Sequence, residues 1–372
     1  MKSLLCLVFF VIPIGALITF PHSVLIDEVD LKNNGTFPIT ACANGCYIYA
    51  ALGEQQTDFE HQVVIAGKDG QPLTTLSALA RSYDVYGMVR QRFTLHKQPG
   101  GYFVVRREGN HFDTAPVAIY AVDKTWINDN GLDLPDIYDP LKLRQLTEQS
   151  KQNIVFLSAE PYTITKLVSQ TAGSVRVFTA GPEFLLGDDA DACFPIFDKN
   201  LAALEDDDIT IPIRSPIVTI FYGHGPALTV VIKAGAEDNI VLVDGRMVAV
   251  TSPGCTGCRG NITGYFRWTS YPTTFNKYYR MANQLVANLS VAWDYRSGDP
   301  VRLSVGSSVY SFVGVGANSM TFNARSVGIS WEQKHGLGDS WAFRIVAQQN
   351  AIATTTTRPY HQPTHRPITI GV

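Results

Sequence analysis

The chain has 372 residues, a formal net charge of −3, 45% hydrophobic residues and 11% aromatics. That apolar content can build real cores and excludes a disordered chain, and the length suits two or three domains. The near-neutral charge, with no Lys/Arg patch, excludes a nucleic-acid binder or a protein held electrostatically on an anionic membrane.

The first residues, MKSLLCLVFFVIPIGALI, place one lysine before an apolar run from Leu4 to Ile18. Small residues (Gly15, Ala16, Thr19) follow where a peptidase could cut. This pattern predicts a secretory signal over residues 1–19, cleaved near residues 16 to 20. The alternatives are a buried helix and a retained anchor. The run is short for a membrane span, which needs about 20 apolar residues. No second run approaches that length, and the C-terminal residues lack a lipid-anchor signal, so a soluble mature chain is expected.

Export makes the cysteines candidates for disulfides. Cys6 leaves with the leader, which leaves Cys42, Cys46, Cys193, Cys255 and Cys258. The close pairs Cys42/Cys46 and Cys255/Cys258 each enclose a glycine and are expected to bridge locally. Cys193 is the remainder, either a buried thiol or the link of a dimer. Three N-x-S/T sequons mark Asn34, Asn261 and Asn288 as glycosylation candidates.

Further along, strand signals dominate. Tyr47-Ile48-Tyr49, Val63-Val64-Ile65, Tyr102 to Val105 and Val117 to Tyr120 are β-branched or aromatic runs bounded by turn residues. Asp69-Gly70, Gly100-Gly101 and Asp244-Gly245 read as hairpin turns, the last most strongly. Helical periodicity is confined to Pro140–Gln152, where Asp139 can cap, and a short stretch from Asn200 to Leu204. The fold class expected is all-β, with tandem antiparallel β-sandwich modules. A first module spans residues 20–124 and a linker with a short helix spans 125–151. A second module spans 152–237 and a third 238–350. A Thr/Pro/His tail over 351–372 cannot bury a core and is expected to be disordered.

The first two modules carry a weak internal repeat. NGCYIYAALGE (Asn44 to Glu54) resembles AGSVRVFTAGPE (Ala172 to Glu183). In the same order, TAPVAIYAVD (Thr114 to Asp123) resembles RSPIVTIFYGH (Arg214 to His224).

The third module resembles a CUB domain, an extracellular β-sandwich of about 110 residues. DGRMVAVTSPG (Asp244 to Gly254) resembles the family's opening, and Trp268 falls at its early core tryptophan. Val327 to Trp331 and Trp341 to Ile345 resemble the late and closing strands, with Phe343 at the usual phenylalanine. Phe266 stands where members commonly have a cysteine, the usual second disulfide has no counterpart, and no acidic calcium trio is matched. The resemblance therefore implies the fold and a binding habit, with no metal site. The whole chain is also similar to secreted nematode proteins with CUB-like regions and uncharacterised β modules. They share Cys-x-x-Gly-Cys-x-x-Tyr, here Cys42, Gly45, Cys46 and Tyr49.

Candidate chemistry is sparse. Cys255-Thr256-Gly257-Cys258 has redox-pair spacing, but a Pro-Gly turn precedes it and no helix pattern follows, so a loop staple is expected. Zinc held by Cys42, Cys46, Cys255 and Cys258 conflicts with an oxidising compartment. The clusters Asp188-Asp189-Ala190-Asp191 and Glu205 to Asp208 match no complete calcium loop and read as solvated. His224 lacks a nucleophile motif, and His361 and His365 lie in the tail. No catalytic residue, metal or cofactor is assigned, although a glycosidase-type carboxylate pair is a spatial feature and stays open. Aromatics crowd Tyr265 to Tyr279, with Arg267, Lys277 and Arg280 among them. Exposed aromatics suit protein or glycan contacts, and Tyr271, Tyr278 and Tyr279 are the predicted ligand-binding residues. The expected function is extracellular binding or adhesion towards an unidentified protein or glycan, in matrix or defence. The alternatives are a secreted hydrolase and a structural matrix component.

Overall fold

The computed structural model describes residues 18–19, 23–27, 36–39, 44–53, 63–67, 69–97, 103–107, 116–129, 134–149, 153–182, 195–201, 207–222, 227–236, 239–252, 274–332, 334 and 340–349. The β-branched and aromatic runs form strands, as their preference for a pleated, half-buried surface requires. In the first module these are β1 (Ile18–Thr19), β2 (Ser23–Asp27), β3 (Thr36–Ile39), β4 (Gly45–Leu52), β5 (Val63–Gly67) and β6 (Pro72–Thr75). Helix α1 (Leu76–Ala80) follows, then β7 (Phe93–His96), β8 (Phe103–Arg107), β9 (Val117–Asp123) and helix α2 (Lys124–Asp129). They form two sheets, β1-β2-β9-β4-β7 and β3-β8-β5-β6. With β2 counted as first, the sheets run 1-8-3-6 and 2-7-4-5, the strand order of a jelly roll.

The second module contains β10 (Ile137–Tyr138), β11 (Gln145–Gln149), β12 (Asn153–Leu157), β13 (Tyr162–Ser169) and β14 (Gly173–Phe178). It continues with β15 (Phe197–Leu201), β16 (Asp207–Ile213), β17 (Ile217–Tyr222) and β18 (Ala227–Ala234). Its antiparallel pairs β12·β17, β17·β14, β14·β15 and β13·β16 repeat β2·β9, β9·β4, β4·β7 and β3·β8. The two halves of the sequence repeat fall on β4 and β14 and on β9 and β17, so equivalent segments hold equivalent places.

The third module has β19 (Val241–Leu242), β20 (Met247–Thr251), β21 (Thr274–Met281), β22 (Ala287–Val305), β23 (Ser308–Ala324), β24 (Ser326–Glu332) and β25 (Ser340–Gln349). It reaches the same order with fewer strands. Residues Ala287 to Arg296 of β22 pair with β25, and after a break between Ser297 and Val301 the strand pairs with β24. β23 follows β22 around this corner. Each long strand thus serves both sheets. Gly314, at φ +91°, makes the turn that a side-chain-bearing residue would resist. The Tyr310 and Phe322 rings lie 5.5 Å apart, whereas a straight strand would separate these residues by about 40 Å.

Each module has a core between its sheets, and a fourth core joins the first two modules. There Tyr49, Tyr120 and Val122 of the first module meet Val155, Leu157 and Ile217 of the second. The other faces of β4 and β9 bury Ile48, Ala50, Ile119 and Ala121. Burial on both faces explains why these strands are nearly continuous apolar runs. Arg90, 3% exposed, stitches the joint: it pairs with Asp139 at 2.8 Å and donates to the carbonyls of Ala50 at 2.8 Å and Leu157 at 3.1 Å. Tyr83 donates to the same carboxylate at 2.6 Å.

The segment expected as a linker is part of this body. β10 pairs with β12, and β11 pairs with β18. The helix expected over Pro140–Gln152 shrinks to one 3-10 turn, Pro140–Lys142, which Asp139 caps through Leu141 N–H at 3.1 Å. The open edge of β18 then takes Gln145–Gln149 as a strand, and tertiary pairing overrides local propensity. Likewise Asn200 and Leu201 end β15 rather than start a helix. Asp69-Gly70 does turn β5 into β6. Asp244-Gly245 turns too, with Gly245 at φ +74°, but its flanking strands leave for different partners, β21 and β25. Gly100 and Gly101 lie outside the described residues, and β7 and β8 on either side belong to different sheets.

Candidate functional site

The outer face of β21, β24 and β22 is the candidate site. Alternation along β21 turns Phe275, Tyr279 and Met281 inward and Thr274, Asn276, Tyr278 and Arg280 outward. The registers align Asn276 with Ser330 and Ser330 with Arg302, which makes a polar row across three strands. The next row is Tyr278, Gly328 and Ser304. A Cβ at Gly328 would stand 2.6 Å from the Tyr278 ring, so the glycine is what lets that ring lie across the sheet. Tyr278 remains 59% exposed.

Beside this face, at the corner of β22, is a cavity of about 580 Å³. Asn276, Arg302, Ser330 and Glu332 give it hydrogen-bonding walls, and Phe275 and Trp331 give it apolar area. That size and mixture are typical of small-ligand clefts. Asp299, 1% exposed at the corner, accepts the Lys334 backbone N–H at 2.6 Å. Lys334 and Glu332 pair at 3.0 Å, both more than half exposed, so this pair adds at most about 1 kcal/mol. The arrangement can stack an apolar ring or sugar face on Tyr278 and hydrogen-bond polar groups along the row. Among the described residues, no group of three or more His, Cys, Asp or Glu side chains could hold a metal.

Of the predicted ligand residues, Tyr278 lies on this face and Tyr271 lies outside the described residues. Tyr279 does not belong to the face: it is 3% exposed, inside the third core. Neighbouring strand residues point to opposite sides, so adjacent tyrosines cannot share one surface. Cys46 is buried at the start of β4, where Gly45 is obligatory, because a Cβ there would meet the Leu95 carbonyl oxygen at 2.7 Å. Asn288 is half-buried on β22, opposite Asn323 and Gln348. Cys42, Cys193, Cys255, Cys258, Asn34, Asn261, His224, the Asp188 cluster, Glu205, Asp206 and the tail histidines lie outside the described residues.

Sequence reasoning missed Arg302, Ser330 and Asn276, whose common face depends on the register of three distant strands. It also missed a projecting tip in which Val85 is 93% and Tyr86 78% exposed. The tip is held from within: Asp84 accepts the N–H groups of Met88 at 2.9 Å and Val89 at 3.1 Å. Desolvation acts to raise the Asp84 pKa, but the backbone N–H groups of Met88, Val89, Tyr86 and Gly87 outweigh it and hold the carboxyl below its ordinary value. The signal for this turn was the Asp84-to-Gly87 spacing.

No family model matches the chain, and no curated protein matches it. Among solved structures, the CUB1-EGF-CUB2 domain of human MASP-1/3 is similar over 55% of this chain and 100% of its own, at 12% identity and TM-score 0.22. The CUB1-EGF-CUB2 domains of rat MASP-1 match 55% of this chain and 98% of their own, at 9% identity and TM-score 0.21. A Paenibacillus xanthan lyase matches 89% of this chain but 34% of its own, at 10% identity and TM-score 0.18. Likenesses this distant carry no argument; the β-sandwich assignment rests on the strand pairing itself. No helix among the described residues is long and apolar enough to cross a membrane.

Proposed function

We propose that this chain is a secreted glycoprotein that binds an extracellular protein or glycan through the outer face of its third module. The observation that carries the reading is Tyr278, laid open on Gly328 beside a polar row and a cavity of about 580 Å³. An exposed, flat, amphipathic ring at a cleft contributes area at low entropy cost. The leader, the three sequons and the pairs Cys42/Cys46 and Cys255/Cys258 support export. The CUB resemblance of the third module supports a binding role at the level of fold analogy alone.

The test uses protein secreted from eukaryotic cells. Non-reducing peptide mapping should find local 42–46 and 255–258 bridges, a mature start near residues 17–21 and glycans on the sequons. A glycan array and a panel of secreted proteins should then give a binder. Tyr278→Ala and Arg302→Ala should each weaken capture about tenfold or more without lowering the melting temperature. Binding that survives both substitutions rejects this face.

A further inference from the structure

Among the described residues, the sheet edges are guarded, with one exception. β10 and β19 have two residues each, and β2, the edge once the leader over residues 1–19 is removed, carries Asp27. β3 carries Pro38 and β6 carries Pro72. β15 carries Asp198 and Lys199, and β11 carries Glu148. β7 is only four residues long. Shortness, proline and charge are the devices that stop an open edge from recruiting another strand. β23 has none of them. Its 17 residues, SVYSFVGVGANSMTFNA, contain no proline and no charged residue. Among the described residues it pairs only with β22, so its other edge is open. Val309, Val313 and Val315 are 56 to 63% exposed and Met320 is 40% exposed.

We propose that the straight half of β23, Gly314 to Ala324, pairs antiparallel with the same segment of a second copy of this chain, joining two third modules in one continuous sheet. The occupant follows from the charge pattern. Across a two-fold axis each residue near the centre faces itself or a close neighbour, so a charge near the axis would confront its own copy. A strand without charge over its whole length is free of that conflict in every register. A different partner would impose no such requirement, and charge on this edge would serve to select it. Pairing uses up Gly314 to Ala324 in both copies, so a third copy cannot add to the same segment. The two ligand faces of the dimer would then act together on a multivalent target.

The experiment is sedimentation velocity on the full secreted chain, with and without reductant, beside a Cys193→Ser variant. A dimer that persists in reductant and in Cys193→Ser is expected, and one lost in either is a disulfide dimer and overturns the proposal. Val315→Lys with Ser319→Lys places charges at exposed edge positions and should weaken dimerisation about tenfold or more, with unchanged thermal melting. Ser319→Pro supplies a second route: its N–H is held by the Asn318 side chain at 2.8 Å, and proline there removes a backbone donor and obstructs strand addition. A chain that stays monomeric up to about 100 μM, or a dimer indifferent to both variants, defeats the proposal.

Discussion

The sheet containing β9 and β4 holds positions 1-8-3-6 of its jelly roll, whereas β21, β24 and the second half of β22 hold positions 2-7-4 of theirs, and the two do opposite work. The first is buried on both faces: Ile119 and Ala121 face their own module's core while Tyr120 and Val122 face the second module. The second buries one face only, with Tyr279 inward and Tyr278 outward. In the third module the counterpart of the β9 and β4 sheet is β20, β25 and the first half of β22, which sends Ala249 and Ala342 into the second module's core and Val248 and Phe343 into its own. The sheet left with an open face is the other one, so which face is available depends on which sheets stack on one another.

The comparison can be broken most directly at its buried members. Arg90→Ala leaves the Asp139 carboxylate buried at the joint of two modules and should destabilise by about 3–5 kcal/mol in a denaturant melt. A loss below about 1 kcal/mol would show that the joint does not depend on this network. Tyr279→Ala should cost a similar amount, about 3–5 kcal/mol, as a large aromatic removed from a core. Its neighbour sharpens the contrast: Tyr278→Ala should stay within about 0.5 kcal/mol in stability while ligand capture falls. Equal effects at the two tyrosines in either measurement would contradict the assignment of faces.

Smaller effects probe the geometry. Gly328→Ala should push the Tyr278 ring off the sheet and reduce capture by several-fold, about what is expected of a displaced contact, with little change in melting. The smallest effect belongs to the Val85 tip. Because the Asp84 pKa is depressed when folded, its contribution is present above the unfolded value of 3.8 and is lost as pH falls through the lower folded value. Hydrogen exchange at the Met88 and Val89 amides should therefore stay slow to below that pH, and Asp84→Ala should remove the protection at neutral pH.

Much of this was readable beforehand, for identifiable reasons. Val117 to Tyr120 reads as a strand because its residues are β-branched or aromatic and turn residues bound it. The repeat between the first two modules was visible because equivalent strands meet the same demand for two-sided burial. The phase of Tyr278 and Tyr279 was not readable, since both are aromatic and either could face the core. Nor could Asp244-Gly245 show that its flanking strands would part, because a turn specifies a local reversal and not the strands that pair across it.

The sequence by itself determined that the chain is all-β and where many strands and turns lie, and it pointed to a weak repeat in the first two modules. These follow from side-chain branching, alternation and glycine or proline at turns, which act over a few residues. Only the tertiary structure decided that β22 and β23 bend to serve two sheets, that residues 137–149 complete the second module, and which faces stay open. Those outcomes depend on pairing between strands far apart in sequence, where an open edge or an uncovered apolar face outweighs local preference.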